Sequence, residues 1–495
     1  MKRLDQLTFT RFIALLMVLF YHGAGGVYLR SIDVFPLSSL LHAAPSAVSF
    51  LYVLSGFVMV LVYYRPTQKF DIRSYWTARL LRIYPLYIIS FLMVCYYYYD
   101  AILRIKPQKI LANIFVLQAW IPKYAQSFNY ASWSMTVEFF FYAIFPFFIL
   151  WSYRQSTKKL ISVSLVLWSA SQLISYILWI GYFPEKESFI VYFPLFHLNS
   201  FIVGVVGGIW FMRTGQSQEI KPAINSLVLA TGILLASGYT ITSNMFTQLP
   251  HDLQPMSGLL APIFSLIIIS LAMDKTRLSK IFSHPALVTL GETSFALYIL
   301  HVPVIWIYIR ALENSTLADP QLVLDYTYLP LMISVGLLAH FYVDRPLRNW
   351  LKKILQRVSM PLLILDLAII AISVYLSFRL RFDVRREYES YRSTALMIFW
   401  SAFVLRTVFS VIFDTFNPSI LYGTLVQFVR PVLISVTVGS VAVAGMVLAG
   451  YALGWFENYP RSVFVLDWAL ILGLSLGVRF IFRFLGLYKN ELLPV

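Results

Sequence analysis

The chain has 495 residues, of which 59% are hydrophobic and 13% charged, and its mean hydropathy is +0.72. That balance excludes a soluble globular protein, because too few polar side chains remain to face water over so large a surface. The net charge of +16 does not indicate nucleic-acid binding either: Lys and Arg cluster in alternate short loops, the pattern of a polytopic membrane protein facing anionic headgroups.

Apolar runs of about twenty residues predict some fourteen spans. Ten begin near residues 8, 39, 76, 132, 160, 192, 224, 256, 287 and 326, and four more near 360, 393, 427 and 463. A basic break, "DRPLRNWLKKILQR" from Asp344 to Arg357, separates the two sets. The start of the chain carries ionisable groups and no small-residue cleavage site, so it reads as a retained first span. Lys2 and Arg3, "RPTQKFDIR", "RQSTKK", "DKTRLSK" and the basic break fall on one side. Opposite loops such as "NMFTQLPHDLQP" are nearly free of cations. The N-terminus therefore faces the cytoplasm, and an even span number returns the C-terminus there. "RLRFDVRREYESYR" (Arg379 to Arg392) is the exception: either it lies along the interface or the count shifts by one in the tail. The lone Cys95 forms no internal disulfide and reads as packing. No loop is long enough for a soluble catalytic domain, and "GYFPEKESFIVYFP" is a short loop, so any chemistry belongs inside or at the edge of the membrane.

A charged residue within a span is costly, and each is a functional candidate. The first span, "TFTRFIALLMVLFYHG", carries Arg11 and His22. Eleven residues at about 100° each make three full turns, so both lie on one face, roughly 16 Å apart along the axis. Arg11 reads either as snorkelling to the inner headgroups or as lining a path; His22 reads as a packed, hydrogen-bonded residue or as a base near the outer side. The third span brings Arg79 and Arg82 at a depth similar to Arg11, either as flanking cations or as planar forks suited to phosphate. In "SWSMTVEFFFYAIFP", Ser134, Glu138 and Tyr142 share a face, and Glu138 reaches the depth of His22, where a histidine is an obvious partner. The ninth span, "GETSFALYILHVP", aligns Ser294, Tyr298 and His301; ordinary interhelical bonds remain an equal reading for the first two. Depth thus sorts an inner cationic layer (Arg11, Arg79, Arg82, with Asp344 and Arg345) from an outer titratable one (His22, Glu138, His301). Such a pair of layers suits moving a group from a cytoplasmic phosphorylated donor to an acceptor outside.

These blocks resemble the membrane acyltransferase-3 group, the OafA-like O-acyltransferases. The resemblance rests on Arg11 and His22 with their offset, "RLLRIYPLY", "SWSMTVEFFFYAIFP" with its Trp133, "LGETSFALYILHVPV" and "YVDRPLRNW", in order over residues 1–355. It implies an all-α polytopic membrane protein with a ten-helix acyltransferase bundle, moving an acyl group, usually acetyl, from cytoplasmic acyl-CoA as co-substrate to a sugar hydroxyl at the outer face. His22 would be the general base assisted by Arg11, and the third-span arginines would grip donor phosphates. Such an enzyme would sit in the bacterial inner membrane, with acyl-CoA, a glycan or lipid-linked glycan acceptor and membrane lipids as partners, and with no permanently bound cofactor or metal. Two departures stand out. Ala78 occupies the position where the family often has the first of two arginines spaced by four, and Asp344-Arg345-Pro346 replaces the usual Glu-x-Pro. The tail, residues 356–495, resembles the four-span membrane region of CapD-like nucleotide-sugar dehydratases and epimerases. No Gly-rich dinucleotide motif follows Phe484, so the tail is expected to be catalytically empty and to dock polysaccharide-assembly partners. A transporter or flippase of a glycan or small anion is the rival reading, since it too would use buried Arg and His, but evident repeats are lacking. A scaffold for glycan enzymes would leave the buried cations unexplained.

Overall fold

The computed structural model describes residues 4–24, 44–98, 105, 107–181, 185–215, 221–245, 258–382, 391–456 and 458–486. The cation-poor loop "NMFTQLPHDLQP" and the Arg379–Arg392 segment lie largely outside these residues. Among the described residues there is no strand. Lipid offers no partner to backbone N–H and C=O groups, so apolar runs of this length close their hydrogen bonds internally as helices.

The chain divides into two compact units, Met1–Arg348 and Asn349–Val495. The first holds α1 (Asp5–Leu19), α2 (Ala44–Tyr63), α3 (Ile72–Tyr97), α4 (Trp133–Ser152), α5 (Thr157–Ile180), α6 (Pro194–Trp210), α7 (Pro222–Met245), α8 (Ala261–Met273), α9 (Pro285–Glu313) and α10 (Pro320–Leu338). The unit boundary falls inside the basic α11 (Arg345–Arg357). The second unit holds α12 (Met360–Arg381), α13 (Arg392–Ile412), α14 (Leu425–Ala452) and α15 (Arg461–Phe484). Twelve described helices are long and apolar enough to cross a membrane. At the other two positions where the sequence predicts spans stand shorter helices: α1, whose 15 residues continue into a five-residue π turn (Phe20–Ala24), and the 13-residue α8. Ten spans and then four is the order the sequence predicts, and the chain is an all-α, multi-pass membrane protein.

Local chemistry fixes where these helices start. Asp71, Ser156 and Asp319 accept from the backbone N–H groups of Ser74, Lys159 and Leu322, capping α3, α5 and α10. Thr424 and Gln427 form a reciprocal capping box on α14. Three helices end in π turns, after α1, α6 (Phe211–Gly215) and α10 (Ala339–Asp344).

Small residues then set the crossings. A Cβ on Gly204 of α6 would overlap the Val53 carbonyl of α2, and one on Gly56 would overlap the Phe201 carbonyl. Backbones therefore meet directly there, as in tight membrane helix pairs. The same device joins α1 to α9, where a Cβ on Gly291 would overlap the Thr8 carbonyl. This crossing lays Arg11 and His22 alongside the face of α9 that carries Ser294, Tyr298 and His301. The aromatic core of the unit, including Tyr75, Phe141, Phe145 and Phe201, packs between α2, α3, α4 and α6.

In the second unit, α12 packs on α13 and α15, and α14 packs on α13 and α15, closing a ring. Its interior is not purely apolar. Arg479 of α15 makes a bidentate pair with Asp366 of α12, both bonds 2.7 Å, and also donates to the Thr415 carbonyl at 3.2 Å. Arg406 of α13 meets Asp467 of α15 at 2.6 Å and Ser440 of α14 at 3.0 Å. All four charged groups are buried.

Candidate functional site

Chemistry-bearing residues of the first unit fall into two linked groups. The first lies where α1 ends. The helix widens into its π turn at Phe20, so the three-turn alignment of Arg11 with His22 holds only for the α-helical part. His22 Nδ1 lies 3.1 Å from His301 Nε2, with the two rings stacked at 5.1 Å and 16°. His301 Nδ1 lies 2.6 Å from the Tyr298 carbonyl oxygen, and the ring of Tyr130 stands edge-on to His22 at 4.9 Å. His301 is only 1% exposed, whereas His22 is half-buried.

The proline of "LHVPV" explains how α9 presents these groups. Pro303 has no N–H for the Ile299 carbonyl four residues earlier. That carbonyl is taken instead by Ser90 Oγ at 2.9 Å and Asn129 Nδ2 at 2.8 Å. Tyr328 donates to the His301 carbonyl at 3.1 Å. Neighbouring helices thus hold the opened turn rigidly.

The second group lines two adjoining cavities. One, of about 330 Å³, is walled by Arg11, Arg79, Arg82, Glu292, His340, Asp344, Arg345 and Arg348 among others. Five guanidiniums face two carboxylates there. The other, of about 140 Å³, has apolar walls from Leu15, Val48, Leu51, Met59 and Phe295, with Tyr52, Ser134, Glu138 and Tyr298 among its polar groups. Arg11, Arg79, Arg82, Ser294 and Phe295 line both, so the two cavities share a wall.

Each arginine is held differently. Arg79 donates to Tyr63 Oη at 2.9 Å and lies over the Tyr63 and Tyr142 rings at 5.1 and 5.7 Å. Its Nε is buried without a hydrogen-bond partner among the described residues. Arg345 is half-exposed, 3.9 Å from Glu292 and over the Phe341 ring at 5.4 Å, a pairing that contributes little to stability. Asp344 is buried between Arg348 at 3.3 Å and His340 at 3.4 Å. His340 Nε2 is likewise buried without a partner among the described residues.

Most of the residues singled out in the sequence meet in these two groups, but not in the expected pairs. His22 pairs with His301. Glu138 bonds no histidine among the described residues; it accepts from Tyr142 Oη at 3.1 Å, one helical turn away, and lines the smaller cavity. Ser134 Oγ, Tyr298 Oη and the Ala131 carbonyl form a closed triangle with sides of 2.7, 3.0 and 3.1 Å. Ser294 donates to the Gly291 carbonyl at 2.8 Å at the junction of the cavities. Trp133 lines neither cavity and packs on Tyr192 at 5.1 Å and His197 at 5.3 Å. Neither His22 nor His301 lines these two cavities, and Tyr298 links the groups: it lines the smaller cavity and its carbonyl holds His301.

His340, Arg348, Tyr63, Tyr130 and Glu292 escape the sequence reading. For His340 and Arg348 the signal is present, since they flank Asp344 at i−4 and i+4 on one face. Tyr130 sits in a 3-10 turn (Tyr130–Ser132) before α4, and only the fold brings it to His22.

Comparison with known proteins adds an independent line. A family model described as an acyltransferase domain matches residues 4–339. An acyltransferase of Streptomyces mycarofaciens is 28% identical over 331 residues, covering 61% of this chain and 79% of its own. A protein of Staphylococcus aureus (strain COL), named as a candidate O-acetyltransferase, is 25% identical over 327 residues, covering 61% of this chain and 52% of its own. The chain thus spans about half the length of that relative. A protein of Acidianus two-tailed virus, named as a candidate acetyltransferase, is 27% identical over 297 residues, 59% of this chain and 80% of its own. No solved structure matches.

Proposed function

Since the chain belongs to the acyltransferase-3 family, a multi-pass membrane acyltransferase, we propose that it moves an acyl group, acetyl in the simplest case, from cytoplasmic acyl-CoA to a sugar hydroxyl of a surface polysaccharide or its lipid-linked precursor. The observation that supports this reading is the pair of adjoining cavities: five arginines wall the larger, and Tyr298, whose carbonyl is bonded to His301, walls the smaller. Planar guanidiniums match phosphate oxygens two at a time. The unpartnered Arg79 Nε and His340 Nε2 are donors and acceptors left free for a ligand of that kind. Residues 1–355 would form the acyltransferase domain in a bacterial inner membrane with both termini cytoplasmic.

In this mechanism Arg11, Arg79, Arg82 and Arg345 hold the donor's phosphates, with Asp344 orienting Arg348 beside them. The apolar walls of the smaller cavity take the acyl group. Its passage onward requires the Ser134–Tyr298 hydrogen bond to open. His22 takes the proton of the acceptor hydroxyl as its oxygen attacks the thioester carbonyl; the carbon–sulfur bond breaks and the thiol leaves with that proton. Glu138, bonded to Tyr142, lies beside the arginines and balances their charge when the donor is absent. The four-span tail, similar to CapD-like membrane regions, would dock partners of polysaccharide assembly.

The test uses membranes containing the protein, radiolabelled acetyl-CoA and host glycan. Wild type transfers label into an alkali-labile ester and His22→Ala does not. Full transfer by His22→Ala overturns His22 as base. Glycan crossing the membrane without acylation favours a transporter instead.

A further inference from the structure

The geometry points to His301 as the positioning residue of this site: it decides which ring nitrogen of His22 carries the proton, and so makes Nε2 the base. This rests on the reading of His22 as general base.

Four atoms stand in a row: the Tyr298 carbonyl oxygen, His301 Nδ1, His301 Nε2 and His22 Nδ1. A carbonyl oxygen only accepts, so the Tyr298 carbonyl at 2.6 Å requires a proton on His301 Nδ1. In a neutral imidazole the other nitrogen is then bare, and His301 Nε2 is an acceptor. The atom facing it at 3.1 Å is His22 Nδ1, which must therefore be the donor. A neutral His22 with its proton on Nδ1 has its lone pair on Nε2. The opposite arrangement needs a second proton on His301 Nε2, which would push the His22 proton to Nε2 and leave no base. Neither ring is bonded to a carboxylate among the described residues that would hold such a cation.

Burial divides the roles. His301 is 1% exposed, closed in by Tyr298, Tyr130 and Tyr328, and cannot meet substrate. His22 is half-buried and can. During transfer the acceptor's proton moves to His22 Nε2 while its oxygen bonds the thioester carbon; the C–S bond breaks, and the thiolate takes that proton from Nε2 and leaves as the thiol. The His22 Nδ1–H bond to His301 persists throughout and becomes charge-assisted while the imidazolium exists.

Two amides separate this role from a merely structural one. In His301→Asn the amide reaches the Nδ1 position, keeps the bond to the Tyr298 carbonyl and loses the acceptor for His22. In His301→Gln the amide oxygen reaches the Nε2 position and still accepts from His22. Both are assayed as full-length protein in membranes with acetyl-CoA and host glycan, beside His22→Ala. The expected result is that His301→Asn loses on the order of 10²- to 10⁴-fold in kcat with the KM for acetyl-CoA little changed, while His301→Gln stays within about tenfold of wild type. His301→Asn matching or exceeding His301→Gln overturns the assignment, provided His22→Ala is inactive; an active His22→Ala removes the base reading beneath it. The wild-type protein labelled with ¹⁵N-histidine gives a readout independent of folding in either variant. A His22 protonated at Nδ1 supports the assignment, and one protonated at Nε2 overturns it.

Discussion

Arg79 shows how much a single side chain's setting matters. Its guanidinium carbon lies 5.1 and 5.7 Å from the Tyr63 and Tyr142 ring centroids, and it bonds to the Tyr63 hydroxyl while its Nε has no partner among the described residues. Lysine would keep the charge but lose the planar fork and the stacking. Arg79→Lys should raise the KM for acetyl-CoA by roughly tenfold with a smaller effect on kcat, measured in membranes. An unchanged KM would mean that Arg79 only braces Tyr63 and Tyr142. The residue types at this site were legible in the sequence because charges inside apolar spans are conspicuous. Their partners were not, because two residues 279 apart, such as His22 and His301, meet only once α1 has crossed α9.

That crossing depends on Gly291, whose missing side chain admits the Thr8 backbone. Gly291→Ala leaves α1 no room and must push it outward, moving Arg11 and His22 against their partners at once. The expected outcome is a loss of about 1–3 kcal/mol of stability, read as a lower melting midpoint in detergent, together with a fall in kcat. Activity equal to wild type would show that α1 tolerates displacement. Hydropathy placed the helices to within a few residues, since a run of apolar side chains specifies a span wherever it packs. The π turns were not legible, because one extra residue in a turn leaves no mark on composition. Yet all three described π turns carry polar residues of note: His22, then Arg213, which binds Tyr64, Ser152, Gln155 and Thr157, then His340 with Asp344. A widened turn re-aims a side chain without breaking the helix, so the ideal count of three full turns from Arg11 does not extend through the turn that carries His22.

At the scale of the whole molecule, the family match ends at residue 339 and every cavity residue assigned a role lies in Met1–Arg348. The tail has its own basis for stability, the buried Arg479–Asp366 and Arg406–Asp467 pairs. Asp366→Ala removes one partner and leaves a buried guanidinium uncompensated, a change of about 3–5 kcal/mol. We expect a markedly lower melting transition for the Asn349–Val495 unit, with acetyl transfer per folded molecule unchanged. A melting profile identical to wild type would mean that the Arg479 charge is satisfied by its carbonyl bonds alone.

Those pairs also dictate an order of assembly in the membrane. Asp366 on α12 and Arg406 on α13 each find their partner only on α15, 113 and 61 residues later in the chain. At a synthesis rate of roughly 5–20 residues per second, Asp366 waits on the order of six to twenty seconds for Arg479. Each charge at a helix centre costs about 2.5–3.5 kcal/mol of insertion free energy until it is matched. Until α15 is made, α12 and α13 each carry one unmatched charge. A single late helix, bearing both Asp467 and Arg479, matches both and closes the ring.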